Sequence, residues 1–398
     1  MGRARTQQKK SIPPVSASAA ASSSPSISSL LTKAQDLIVQ CDYPLARKFI
    51  ERVLGRMDGT IPEKCQAREM LGVVLLEMGD VDAAREMFLT LLPPHPNAPS
   101  PPPPSAYLYM AQLTDDDPHT AIAHYQAAID ILQTQLKGKS ISSGNTEDDN
   151  ENEIKSNIIR AYLGMVEIWM DPEYDLCFDP AASSTCDTLL SQALQIDPKN
   201  IEALQTLASV RLSQEKPDEA LLALRTFPPP PSLDDTDTDP QAHALHLLCA
   251  LPIQTRIARA KLLLECGAHA DALSLLEGVL AADDANVEGW YLMGWAWWLL
   301  AERRKDGDPT AAIGLGEEGE QLEWQDMARD ARDCLETCQM LHASQGHPDA
   351  PLLEHVEELI GTLDSLGIRP SPAEEDEGVE EGWEDASADD ENEDIEMA

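Results

Sequence analysis

Basic residues are scarce. Lys and Arg number 29 against 70 Asp and Glu in 398 residues, a formal net charge of −41. A field of that sign repels nucleic acid and anionic membrane, and it draws in basic proteins. No run of about 18 apolar residues occurs, so no spanning helix is expected. The N-terminus lacks the apolar core of a secretory signal. Chemistry-bearing patterns are missing too: there is no Gly-rich phosphate loop, no HExxH and no CxxC. His243 and His246 lie three apart in QAHALHLLC without further ligands, which reads as a structural helix-face pair. Cys334 and Cys338 lie one helical turn apart without a second pair or a nearby His at zinc spacing, and the eight Cys read as reduced thiols of an intracellular protein. No enzyme, cofactor or metal site is expected. Aromatics make up only 5% of the chain, yet four of the seven Trp lie between Trp290 and Trp298.

A period emerges once the Ser-, Ala- and Pro-rich residues 1–27 are passed. In REMLGVVLLEMGDVDAAREMFLTLLPPHP, Gly72, Ala84, Phe88 and Pro96 fall at relative positions 0, 12, 16 and 24. That is the spacing of a tetratricopeptide repeat, a helix pair of about 34 residues. A small residue lets helix A approach helix B, a second completes the contact, an aromatic fills the gap, and Pro ends helix B. The spacing recurs at Ala34, Ala46 and Ile50, at Ala208, Ala220 and Leu224, and at Ala260, Ala272 and Leu276. GWYLMGWAWWLL sets Trp290 and Gly294 at the Trp and Gly positions of another helix A. Gly164 opens a repeat whose second half, Cys186, Leu190, Ala193 and Pro198, arrives ten residues late. AYLYMAQLTDDDPHTAIAHYQAAI reads as a shorter pair with Asp117 as N-cap and Pro118 in the first turn.

The fold class expected is all-α, a tetratricopeptide-repeat superhelix of about seven helix pairs plus a closing helix over residues 28–370. The closing helix has Asp349 as N-cap, Leu352, Val356, Leu359 and Leu363 on one face, and Gly367 at its end. Such arrays need a cap over the last apolar face. Residues 1–27 and 371–398 are expected to be disordered. Of the inserts, 93–104 reads as a stiff polyproline linker and 138–153 as a disordered polar loop, while 228–240 and 303–320 interrupt the array.

The A helices of an array line a surface that holds a partner segment. Counting one, three, four or five positions from the fixed small residues yields Glu69, Glu77, Asp115, Asp116, Glu167, Glu202, Glu265 and Glu288, with Tyr291, Trp295 and Trp298 at the C-terminal end. Nearly all the charges are of one sign. Glu167, set in GMVEIWM, is expected to be desolvated and to want an Arg partner. Trp290 and Trp297 match core positions; Trp295 and Trp298 are free to meet a partner's Arg. The last 25 residues hold fourteen acids and no Lys or Arg, with Glu380, Glu381, Glu384 and Asp385 around Trp383. Without that tail's −14 and the +4 of MGRARTQQKK, the body still carries −31.

The stretches LGMVEIWM…DLCFDPA, QIDPKNIEALQTLASVRLSQEKPDEA and GWYLMGWAWWLLAE, with the ending EEGWEDASADDENEDIEMA, resemble the fungal assembly chaperones dedicated to large-subunit ribosomal protein four. The resemblance implies a monomeric superhelix that captures the newly made basic protein by its internal loop. It further implies an escort through cytoplasm and nucleus to pre-ribosomes, with nuclear import factors as further partners. Charge agrees independently, since an acidic groove satisfies a ribosomal protein's Lys and Arg in place of RNA. Composition alone also admits a chaperone or scaffold for another basic nuclear protein such as a histone. A heat-shock co-chaperone adaptor would need a Lys, Arg and Asn clamp in the groove, where Lys261 is the exception among acidic or neutral positions.

Overall fold

A computed structural model describes residues 25–139, 148–228, 240–308 and 322–371. Among these residues every regular element is helical: sixteen α-helices and two single turns of 3-10 helix. The chain divides into two compact units, Met1–Thr206 and Leu207–Ala398.

The first unit pairs α1 (Ile27–Val39) with α2 (Tyr43–Leu54), α3 (Ile61–Glu77) with α4 (Val81–Leu89), α5 (Pro104–Gln112) with α6 (Pro118–Lys139), and α7 (Asp148–Met170) with α8 (Ala182–Ile196). It ends within α9 (Ile201–Ser213). The second unit takes up the rest of α9 with α10 (Pro217–Arg225), then α11 (Pro240–Cys249). The pairs α12 (Ile253–Glu265) with α13 (His269–Ala282) and α14 (Val287–Lys305) with α15 (Trp324–Gln345) follow, and α16 (Ala350–Ser365) closes the unit against α15. Seven pairs and a closing helix match the sequence reading. The additional helix α11 stands outside the repeat.

The spacing rule has a direct steric cause here. A Cβ on Gly72 would lie 2.5 Å from the Phe88 ring, so only glycine lets α4 seat its aromatic against α3. Gly294 does the same for Leu335, at 2.8 Å. Gly164 receives Tyr125 of α6, the helix before it, rather than a residue of its own α8 partner. The alanine series is fully buried: Ala34, Ala46, Ala208, Ala220, Ala260 and Ala272 are all 0% exposed. Helix starts follow the expected caps. Asp117 accepts from the backbone N–H of His119 and Thr120, and Asp349 accepts from that of Leu352. Leu352, Val356, Leu359 and Leu363 are buried, and Gly367 leaves α16 at φ 76°.

Some boundaries shift. Order begins before residue 28: Ser26 caps α1, Ile27 is buried, and Arg56 donates to the carbonyl of Pro25. At the other end Ile368 is buried, its carbonyl accepts from Arg332, and Ser371 bonds to Asp333. Residues 93–103 are not an extended polyproline rod. The segment turns back on itself through bonds from His95 to Leu92 and Ala98 to His95, and Arg68 donates to the carbonyl of Asn97. The polar stretch 138–153 is helical at both sides, since α6 reaches Lys139 and α7 begins at Asp148. DPEYDLCFDP, which delays the second half of its repeat, folds into the two 3-10 turns Pro172–Tyr174 and Leu176–Phe178. The remaining parts of the expected ends and inserts, 1–24, 140–147, 229–239, 309–320 and 372–398, lie outside the described residues.

Candidate binding surface

In the first unit five of the six predicted acids stand near a tyrosine, and the sixth, Glu202, stands near Glu167. Glu69 and Glu77, on α3, flank Tyr109 of α5, whose phenol is pushed up by burial and then by the two carboxylates. Tyr109 stacks on Phe88 at 4.7 Å, so the ring that packs against Gly72 also fixes the tyrosine between the acids. The Cys41 thiol and then, with partial desolvation, the Glu77 carboxylate push the Tyr43 hydroxyl up to about 12. Glu167 on α7 faces Glu202 on α9, and Tyr125 is pushed up to about 12 by burial and by the charge of Glu167. Asp115 and Asp116 are not on a helix face. They occupy the turn between α5 and α6, near Tyr174, with Asp171 and Glu173 adding to the same negative cluster. A tyrosine held neutral can donate its O–H to a carboxylate while leaving the remaining lone pairs to a cation.

Glu167 corrects an expectation. Its side chain is exposed, because the apolar residues around it in sequence, Met165 and Val166, point into the core. Surrounding protein still pushes its carboxyl above the ordinary value, and Glu202 adds to that. Glu69 is half-buried; Glu77, Asp115 and Asp116 are exposed. Among the described residues, Glu69, Glu77, Asp115, Asp116, Glu167 and Glu202 have no Lys, Arg or His nitrogen within 4.0 Å. Acids elsewhere do pair, as Glu51 does with Arg47 and Glu219 with Arg211.

The second unit treats its predicted residues differently. Glu265 is exposed at the end of α12 and has no cationic neighbour among the described residues. Glu288 is already satisfied by Lys261 at 2.5 Å. The same pair occupies the one lysine that could have contributed to a heat-shock clamp. The Tyr291 hydroxyl bonds to Nδ1 of His355 at 2.8 Å, and Trp295 meets the edge of the same imidazole at 5.9 Å. These two aromatics therefore join α14 to the closing helix and are only partly open to a partner. Trp298 is buried and belongs to the core, which removes it from the predicted surface. Trp290, expected in the core, is half-buried at the start of α14 and donates its indole N–H to the carbonyl of Asp284. The tail acids Glu380, Glu381, Glu384 and Asp385, and Trp383, lie outside the described residues.

The tyrosines are what sequence reasoning missed. The clue available was their number: only seven occur, and six of them, Tyr43, Tyr109, Tyr125, Tyr162, Tyr174 and Tyr291, feel a nearby carboxylate, four of these in the cluster described above. Among the described residues no three His, Cys, Asp or Glu side chains form a metal cluster, and no helix is long and apolar enough to cross a membrane.

Comparison with known proteins agrees with this architecture. The tetratricopeptide repeat family model matches residues 31–99. A protein of Schizosaccharomyces pombe described as "Probable assembly chaperone of rpl4" is 31% identical over 327 residues, 82% of this chain and 88% of that protein. One of Emericella nidulans with the same description is 26% identical over 372 residues, 89% of this chain and 85% of its own length. A solved structure described as the assembly chaperone of RpL4 (Acl4), residues 1–338, superposes with a TM-score of 0.55 at 25% identity, covering 71% of this chain and 99% of that one. The helix pairs and the extent of the first match place the chain in one group: it belongs to the family of fungal tetratricopeptide-repeat proteins described as probable assembly chaperones of rpl4.

Proposed function

We propose that the protein is a non-enzymatic chaperone that captures a newly made, basic large-subunit ribosomal protein of the rpl4 class. It keeps that protein soluble and escorts it through cytoplasm and nucleus to pre-ribosomes. The observation that carries this reading is the set of unpaired carboxylates in the first unit. Six acids with no cationic partner among the described residues, each near a tyrosine or a second acid, offer charge that stays unbalanced until a Lys- or Arg-rich segment arrives. Glu167 and Glu202 repel each other across α7 and α9, so a guanidinium between them gains more than it would beside an isolated acid. Glu265 extends the same chemistry on the second unit. The acidic tail adds long-range attraction that acts before docking.

Charge reversal tests the assignment. Glu69→Lys with Glu77→Lys, and separately Glu167→Lys with Glu202→Lys, should weaken capture of the internal loop of the ribosomal protein in calorimetry. Each exposed contact contributes about 0.2–1 kcal/mol and one screened from water several-fold more. The control reverses Glu354 and Glu357, exposed acids on α16. If the α16 reversals weaken binding as much as those on α3, α7 and α9, bulk charge alone accounts for capture and the surface assignment fails.

A further inference from the structure

One cleft carries the opposite charge. Arg259, on α12, is 4% exposed. Its Nη2 donates to the carbonyls of Leu224 and Phe227, at 2.6 and 2.7 Å, holding the end of α10. Among the described residues its Nε and Nη1 have no hydrogen-bond partner. A buried donor without an acceptor is costly, and guanidinium donors are seldom left so. Burial pulls this guanidinium down to about 10, with Asp271 opposing the shift. The side chain lines a cleft of about 330 Å³ whose walls include Phe227, Leu248, Leu263 and Leu275. At the rim Arg225 and Asp271 neutralise each other at 3.0 Å, so Arg259 is left as the net positive charge. Leu248 comes from α11, the helix that belongs to no repeat. The additional helix thus supplies one wall of the cleft.

We propose that this cleft binds an acidic peptide segment of a partner protein, one carboxylate side chain flanked by apolar residues. Nε and Nη1 are closed to solvent in the cleft, so a carboxylate that parts the lining would meet the unsatisfied donors, while flanking leucine-like side chains would lie on the apolar walls. The volume fits one or two side chains rather than a large cofactor. The ligand is opposite in sign to the basic segment assigned to the first unit, so this site stands independently of that assignment. It gives the chaperone a means to hold an acidic factor together with its basic cargo.

Full-length protein labelled with 15N at arginine tests the proposal, with the Arg259 Nε signal identified by its loss in Arg259→Lys. Titration with acetyl-Leu-Asp-Leu-amide should shift that signal saturably. Acetyl-Leu-Asn-Leu-amide should bind about tenfold or more weakly, the factor a charge-assisted hydrogen bond supplies. Ser274→Asp, at an exposed position on the cleft lining, should weaken the Asp peptide by a similar factor without lowering the melting temperature, because it offers Arg259 an internal carboxylate. The proposal is overturned if the Asp peptide leaves the Arg259 signal unmoved, or if the Asp and Asn peptides shift it equally. An unchanged affinity in Ser274→Asp also overturns it. Inorganic phosphate binding as tightly as the peptide would mark a general anion site and overturn the peptide assignment.

Discussion

Glu167 shows how one carboxylate links stability to capture. Its carboxyl sits above the ordinary value because protein crowds it and Glu202 stands near. An acid with a raised folded value holds its proton more firmly folded than unfolded. Ionising it therefore costs folding free energy, and that loss sets in as pH climbs from the ordinary glutamate range through the raised one. Near neutral pH the partner-free protein carries this cost; a bound Arg removes it. Glu167→Gln should thus melt higher than the parent at pH 7 and nearly equal to it at pH 4, while capturing the basic loop more weakly. A variant that melts lower at pH 7 would show that Glu167 has a stabilising partner. At the same scale, the register placed Trp298 wrongly because a repeat template describes only a helix and its partner. The indole is buried in a core cluster that also includes Leu352, Leu359 and Leu363 of α16, some sixty residues on in sequence, and no spacing rule within a pair reaches that far.

Elements were more legible than single side chains. Gly72 with Phe88, the alanine series, and the caps Asp117 and Asp349 are local or fixed-distance signals, and each is realised as the spacing predicts. The ends were less legible, because Ser26 and Ile27 look like the Ser-rich stretch before them until α1 shows that they cap and bury. The tyrosine partners of the acids were hidden for another reason: Tyr109 and Glu77 sit 32 positions apart on different helices. The N-terminal boundary can be measured. A chain starting at Pro25 should melt like the full protein. One starting at Ser28 loses a cap worth about 1 kcal/mol and a buried isoleucine worth about 1.5–3 kcal/mol, so its melting temperature should drop clearly. Equal melting of the two chains would place the start of the fold after Ser28.

The charge of the whole molecule and the charge of one face should govern different rate constants. A net −41 acts at a distance, and the tail supplies fourteen of those negative charges. Long-range attraction speeds encounter and is screened by salt, since the Debye length falls from about 10 Å at 0.1 M to about 3 Å at 1 M. Contacts made by Glu69, Glu77, Glu167 and Glu202 act only after docking, so they should set how long the complex lasts. Stopped-flow association with the ribosomal protein's internal loop separates the two. Ending the chain at Ser371, which retains the contact with Asp333, should slow association severalfold at 0.1 M salt and leave dissociation unchanged. At 1 M salt the shortened and full chains should associate at the same rate. Reversing Glu167 and Glu202 should instead speed dissociation at both salt concentrations. Faster dissociation on removing the tail would show that the tail contacts the bound partner directly, and capture would then no longer rest on the tyrosine-flanked acids alone.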